Sequence, residues 1–156
     1  MSSLRYTVCA YYPDLHRPQT SYPFAVLVAG EEEVALVGVN LSAYGITGEN
    51  PFSQTVIDKT YEMMMRRLAE ACACRAADTG LAILERFVAD NQSNIQFQPI
   101  RDVQHMDRAI TVALDLFTEE IEDHLSSPHT SEDSVPRALS RACPERRAKR
   151  RQPQLV

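Results

Sequence analysis

The amino-acid sequence predicts a small α+β protein, and three observations lead to that prediction. Leu4–Tyr12 alternates in period two, two short apolar runs follow at Phe24–Val28 and Val34–Val39, and longer segments repeat apolar residues every three or four positions. Period two is typical of strands, and a period near 3.6 is typical of helices. The predicted element order is β-β-β-α-(α)-β-α, with a small antiparallel sheet packed by helices on one face.

The predicted strands differ in how fully they are covered. Leu4–Tyr12 predicts a half-buried strand that ends at Pro13. The two apolar runs are joined by Ala29–Glu33 and predict a hairpin covered on both faces, which needs a second layer: either a helix or a partner subunit. That open alternative indicates a possible homodimer. Ile95–Ile100 predicts an edge strand, because Pro99 cannot donate a ladder hydrogen bond.

Three helices are predicted from caps and periodicity. Asn50-Pro51 is a typical N-cap and first helical residue, and the helix is expected to reach Thr79 with Gly80 as its left-handed terminator. Leu81–Ala89 predicts a second helix or a continuation past a kink, and Asp107 is the expected cap of the last helix. The apolar stripes are Ile57, Tyr61, Met64, Leu68 and Cys72 in the first helix, and Ile110, Ala113, Leu114, Phe117, Ile121 and Leu125 in the last.

Length and composition predict a single domain with a tail. A chain of 156 residues is long enough for one core and too short for two domains. We expect residues 1–127 to form one domain and residues 128–156 to be a disordered basic tail, since apolar residues thin out and prolines recur there. No apolar run approaches the roughly 20 residues of a membrane span, and the N-terminus predicts no secretion signal. The predicted location is the cytoplasm.

Few residues suggest catalysis or metal binding. Cys72 and Cys74 would point apart on a helix, so we predict no metal site, and the glycine patterns of nucleotide cradles are missing, so we predict no cofactor. A small enzyme with a dispersed site remains an alternative, with His105 close in sequence to Asp102 and Asp107. The catalytic candidates are His16, Arg17 and His105, with Tyr11 beside them.

Charge is distributed unevenly along the chain. Residues 1–127 carry a net charge of −9 and residues 128–156 a net charge of +4, so the body should repel nucleic acid and the tail could attract it. Glu31–Glu33 is interpreted as a solvated turn. The acidic end of the last helix, Glu119–Asp123, opposes the helix dipole, and we hypothesise that the tail screens it. The candidate polyanion-binding residues are Arg146, Arg147, Lys149, Arg150 and Arg151.

Part of the chain resembles a bacterial family of unknown function, DUF3037. The resemblance lies in Tyr6–Asp14, which ends in Tyr-Tyr-Pro-Asp, then Arg17, then the apolar Phe24–Val28. Ile95–Ile100 followed by a helix is similar to the family's C-terminal strand and helix, and the similarity extends over residues 4–125. The family's Asn-x-Gly-Val signature is replaced here by Tyr22–Ala25. The resemblance implies an α+β fold and assigns no activity or site residues.

The leading functional interpretation is a non-enzymatic accessory or protein-interaction module. The partner is expected to be another protein, or a second copy in a homodimer. A nucleic-acid-associated protein using the Arg-rich tail is one alternative, and the small enzyme with a dispersed site is the other.

Overall fold

The computed structural model describes residues 2–13, 16, 19–74, 79–92, 94–105, 108–122 and 137–142. Within them the fold is α+β, with an antiparallel sheet and three α-helices, which confirms the predicted class. The strands are β1 (Ser2–Tyr11), β2 (Tyr22–Ala29), β3 (Glu33–Gly38), β4 (Ile95–Phe97), β5 (Arg101–His105) and β6 (Arg137–Ala142), and the helices are α1 (Pro51–Cys74), α2 (Gly80–Asp90) and α3 (Ala109–Glu120).

The sheet is built around the predicted hairpin. Its strand order is β4-β1-β2-β3-β6, and β5 pairs with β1 beside β4. β4 pairs with Cys9–Tyr11 and β5 with Ser2–Tyr6, so one edge is made of two short strands on either side of Pro99. The proline therefore interrupts an edge, as its missing N–H requires. β5 was not predicted from the sequence.

Local side-chain chemistry fixes where the helices begin. Asn50 Oδ1 accepts from the Ser53 backbone N–H at 2.8 Å, and Ser53 Oγ accepts from the Asn50 N–H at 3.1 Å, so α1 has the reciprocal form of a capping box. Thr79 Oγ1 caps α2 by accepting from Ala82 N at 3.1 Å. At α3 the N-cap residue is Arg108, which makes no side-chain cap bond. Instead, the Glu33 carboxylate accepts a hydrogen bond from the Ala109 backbone N–H. Glu33 therefore caps α3 in addition to belonging to the turn.

The helices lie on both faces of the sheet, whereas the sequence interpretation placed them on one. Leu27 and Leu36 of the hairpin pack in a core with α1 and α2. Val28 and Val37 point to the other face and pack against α3. Consecutive side chains of a strand alternate between faces, so a strand that is apolar at every position needs cover on both. Helices cover both faces of the hairpin here. The second layer that the apolar strands require is therefore a helix and not a partner subunit.

The predicted tail contains a strand. The expectation of disorder from residue 128 is wrong for Arg137–Ala142, which form β6 and pair with Glu33–Gly38 residue by residue. The physical reason is that β3 would otherwise offer unpaired backbone groups along a hydrophobic edge. Leu139 packs against the core on the α1 side. The other tail residues, 128–136 and 143–156, lie outside the described residues.

Two helix details differ from the sequence prediction. Gly80 is not a left-handed terminator; it is the first residue of α2, and Gly45, at φ 71°, is the glycine with positive φ among the described residues. In α3 the buried stripe is rotated, because Leu114 is 43% exposed while Val112 and Leu116 are buried. Asp107 and Leu125 lie outside the described residues. The predicted stripe of α1 is confirmed, since all five of its members are buried.

No helix in the described part of the chain is both long and apolar enough to cross a membrane.

Candidate functional site

A groove runs along α1 on the helix-rich face of the sheet that carries α1 and α2. One wall is the exposed side of α1, and the other is the C-terminal end of α2 with the segment leading into β4. Its volume is about 560 Å³. The α1 wall consists of Phe52, Ser53, Val56, Ile57, Thr60, Met63 and Arg67; the opposite wall consists of Asp90, Asn91, Gln92, Asn94 and Ile95, with Tyr11 beside it.

The groove is bordered by exposed apolar side chains. Phe52 is 79% exposed and Val56 is 38% exposed, and their spacing of four residues places both on one side of α1. Met63 continues this side of the helix and is half-buried. Adjacent exposed apolar side chains at the border of a groove are typical of a binding surface, whereas single ones are ordinary. Leu114 is such a single residue, on α3 at the opposite face.

Hydrogen bonds hold the opposite wall in place. Arg67 Nη1 donates to Asn91 Oδ1 at 3.0 Å and so joins α1 to the end of α2. Asn91 Nδ2 donates to the Phe87 carbonyl at 2.8 Å, and Asn94 Nδ2 donates to the Tyr12 carbonyl at 2.8 Å. These bonds connect the wall to both helices and to the end of β1. Asn91 and Asn94 are therefore each joined to a neighbouring element by at least one hydrogen bond.

A second depression extends the groove between α1 and α2. Its volume is about 230 Å³, and it shares Arg67, Asp90 and Asn91 with the larger groove. Arg86 and Glu70 add further charges at this end. The surface as a whole is thus apolar at the Phe52 end and charged at the Arg67 end.

Tyr11 brings a hydroxyl to the apolar end. Burial and, second, the nearby Glu49 carboxylate raise the pKa of Tyr11 above its ordinary value. The phenol therefore stays protonated through the neutral range, where it can act as a hydrogen-bond donor. Such a group can orient a bound carbonyl or carboxylate, but it is a poor base.

The structure does not bring the predicted catalytic residues together. Tyr11 pairs with Tyr22 and Ile95 at one end of β1, while His105 pairs with Ser2 at the other end. Strands rise about 3.3 Å per residue, so these backbone positions are about 30 Å apart. His16 is exposed, the side chain of His105 is not described, and Arg17 lies outside the described residues. Within the described part of the chain, Tyr11 and His105 are therefore too far apart to share one small pocket.

The other predicted sites are placed as follows. Cys72 is buried, and no group of three potential metal ligands occurs among the residues that the structure describes. In the methionine run, Met64 is fully buried while Met63 and Met65 are half-buried. Residues 146–151, the basic run, lie outside the described part of the chain, and polyanion binding there stays a prediction. Within the described tail, Arg137 pairs with Glu62 of α1 at 2.8 Å.

Comparison of the chain with protein-family models, curated proteins and solved structures finds no match in any of the three. The resemblance to DUF3037 therefore stays a prediction.

Sequence reasoning missed the two residues that mark the groove. Phe52 and Val56 lie off the stripe that starts at Ile57, and an apolar pair four residues apart on the wrong side of an amphipathic helix is a readable signal. The opposite wall had no such signal, because it is created when α2 and β4 fold back beside α1.

Proposed function

We propose that this chain is a non-enzymatic protein-interaction module, and that the groove along α1 is its binding surface. The observation that carries the proposal is the exposed pair Phe52 and Val56 at the border of a preformed groove. A partner polypeptide would bury these side chains and insert apolar side chains of its own between α1 and the Asn91–Asn94 wall.

The chemistry of the groove suits a polypeptide better than a small metabolite. Apolar anchors at the centre of an interface supply most of the binding energy, while a polar rim contributes orientation. Here Phe52, Val56 and Met63 offer the anchors. Arg67, Asn91 and Asn94 form part of the polar rim. Cys9 is a buried free thiol, as is usual in a reducing compartment, and we include a cytoplasmic location in the proposal.

The proposal can be tested with a photoreactive residue in living cells. The benzophenone analogue of phenylalanine is placed at Phe52 and, as the matched control, at Leu114, which is also exposed but lies on the other face of the sheet. We expect defined covalent products from position 52 that do not form from position 114. Each captured protein, including a second copy of this chain, is then purified and its affinity measured.

The affinity measurement decides the outcome. Phe52→Asp places a charge in the proposed interface and should weaken binding at least about tenfold, while Leu114→Asp should leave it unchanged. Circular dichroism confirms that both variants are folded. Binding that is equally insensitive to both substitutions, or an absence of products specific to position 52, would refute the proposed function.

A further inference from the structure

Among the exposed large apolar side chains, Phe52 is the most exposed, and it lies on the same helix as Met63, so one copy can offer both halves of an apolar contact to a second copy. Phe52 projects at the N-terminal end of α1, while Met63 and Arg67 border the groove further along. A helix rises 1.5 Å per residue, so Phe52 and Met63 are about 16 Å apart along the axis. One copy therefore carries an exposed aromatic ring and, a fixed distance away on the same side of α1, the half-buried apolar side chain of Met63, against which such a ring can pack.

We propose that two copies of this chain form a two-fold symmetric dimer through antiparallel α1 helices. This rests on the proposed function, for which it names the partner. In a two-fold interface the contact of residue i with residue j is repeated as j with i. When the two-fold axis passes level with the midpoint between Ile57 and Asp58, Phe52 of each copy lies beside Met63 of the other. The same register brings Val56 beside Lys59, whose aliphatic stem can cover it.

The distribution of charge selects this orientation. Glu49 precedes the apolar end of the groove, and Arg66 lies beside Arg67 at the other end; Glu49 and Arg66 are both exposed. The antiparallel register that pairs Phe52 with Met63 also brings Glu49, two residues before the start of α1, close to Arg66 of the second copy, and two-fold symmetry repeats this approach. A parallel arrangement would place like charges together at each end and is disfavoured. Shape and charge therefore lead to one register.

The first measurement is the oligomeric state of the purified full-length chain by sedimentation equilibrium. We expect a dimer at micromolar concentrations. Phe52→Asp, which enters a two-fold interface twice, should raise the dissociation constant at least about tenfold, and the control Leu114→Asp should leave it unchanged. A monomer at these concentrations, or a dimer that Phe52→Asp does not weaken, would overturn the inference.

A charge exchange tests the register itself. Glu49→Arg and Arg66→Glu should each weaken the dimer at low ionic strength, because each places like charges together, and the double variant should restore the affinity. A dimer without this restoration would overturn the antiparallel register. These results are separable from the proposed function: a monomeric chain that still captures another protein at position 52, with loss of affinity in Phe52→Asp, refutes the dimer alone.

Discussion

At the scale of single residues, the hydroxyl of Tyr61 connects three elements. Tyr61 is fully buried in α1, and its Oη lies 3.2 Å from the Leu36 carbonyl of β3 and within hydrogen-bond reach of the Arg137 carbonyl of β6. One proton serves two acceptors. Burial raises the pKa of Tyr61, so the hydroxyl is a donor throughout the physiological range. The side chain therefore holds the last strand to the helix as well as to its sheet neighbour.

Removal of this hydroxyl should cost stability in a way that depends on the tail. Tyr61→Phe keeps the ring and removes one buried hydrogen bond, so we expect the free energy of unfolding in urea to fall by about 1 kcal/mol. In a chain that ends at residue 127 the Arg137 acceptor is gone, and the same substitution should cost less. An equal cost in both chains would show that the contact to β6 contributes nothing.

Glycine is required at position 80 for a different reason from the one that the sequence predicts. The sequence predicts a left-handed terminator, because glycine usually follows a helix. In the fold, its Cα lies against the hairpin turn, and an added Cβ would meet the Gly30 carbonyl oxygen at 2.1 Å and the Glu33 carbonyl oxygen at 2.5 Å. The Gly80 N–H also donates to the Glu31 carbonyl at 2.7 Å. Glycine is needed here because α2 and the hairpin turn approach each other closely through their backbones, and no local sequence pattern reveals such a contact.

Gly80→Ala should therefore destabilise the protein although alanine favours helices. Both atoms in the way are backbone atoms, so the hairpin or α2 must move, and we expect a loss of about 1–3 kcal/mol in the free energy of unfolding. Ala89→Gly, at an exposed site in the same helix, should cost about 1 kcal/mol from propensity alone and serves as the reference. Thermal unfolding of the two variants checks this; a stabilised Gly80→Ala would show that the contact relaxes freely.

At the scale of elements, β6 has the weakest strand sequence and the most specific contacts. Arg-Ala-Leu-Ser-Arg-Ala lacks the β-branched and aromatic residues of a typical strand, so its composition favoured a disordered tail. Three contacts beyond the backbone ladder hold it: Leu139 in the core, the Tyr61 hydroxyl, and the ion pair of Arg137 with Glu62. The Tyr61 and Glu62 contacts both depend on residues more than 70 positions earlier in the chain.

The ion pair makes the attachment of β6 sensitive to acid. The hydrogen bond from Arg137, and then the charge of Lys59, lower the pKa of Glu62 below its ordinary value. A lowered pKa in the folded state means that the stabilisation is present above the ordinary pKa of a glutamate and is lost as the pH falls through the folded value. The protection of the β6 amides against hydrogen exchange should therefore decrease in that acidic range.

Glu62→Gln provides the control for this pH dependence. The side-chain amide of the variant cannot titrate and carries no charge to pair with Arg137. The protection of the β6 backbone amides should therefore be lower than in the wild type at neutral pH, and titration of this position should not lower it further on acidification. Protection factors, corrected for the intrinsic exchange rate at each pH, give the comparison. A wild-type strand whose protection is the same at neutral and acidic pH would contradict a role for the pair.

At the scale of the whole molecule, the sequence predicts what local periodicity encodes and misses what tertiary contact creates. The hairpin and the Ile57–Cys72 stripe were predictable, because each pattern is fixed by the geometry of one element. The placement of α3 on the second face was not, since its apolar residues fit either side of a sheet. The groove was only partly predictable: Phe52 and Val56 can be recognised from the pattern of α1, whereas the opposite wall exists only after α2 and β4 fold back beside that helix.

A sheet covered on both faces should fold as one unit, because its two cores share the same strands. The α1–α2 core includes Ile83, and the α3 core includes Ile121, and the strands of the hairpin contribute alternate side chains to both. Because residues 24–29 and 34–37 of the hairpin each serve one core or the other, neither core can be lost while the other keeps its strands. We therefore expect a single cooperative unfolding transition.

Two conservative substitutions test this architecture. Ile83→Val and Ile121→Val each remove one buried methylene and should lower the free energy of unfolding by about 0.5–1.5 kcal/mol. Because the sheet separates the two sites, the losses should add in the double variant to within about 0.5 kcal/mol. Urea unfolding followed by both circular dichroism and tyrosine fluorescence should give coincident transitions in all four proteins. If Ile121→Val produced a separate early transition, α3 would be an independent layer and the two cores would not share one folding unit.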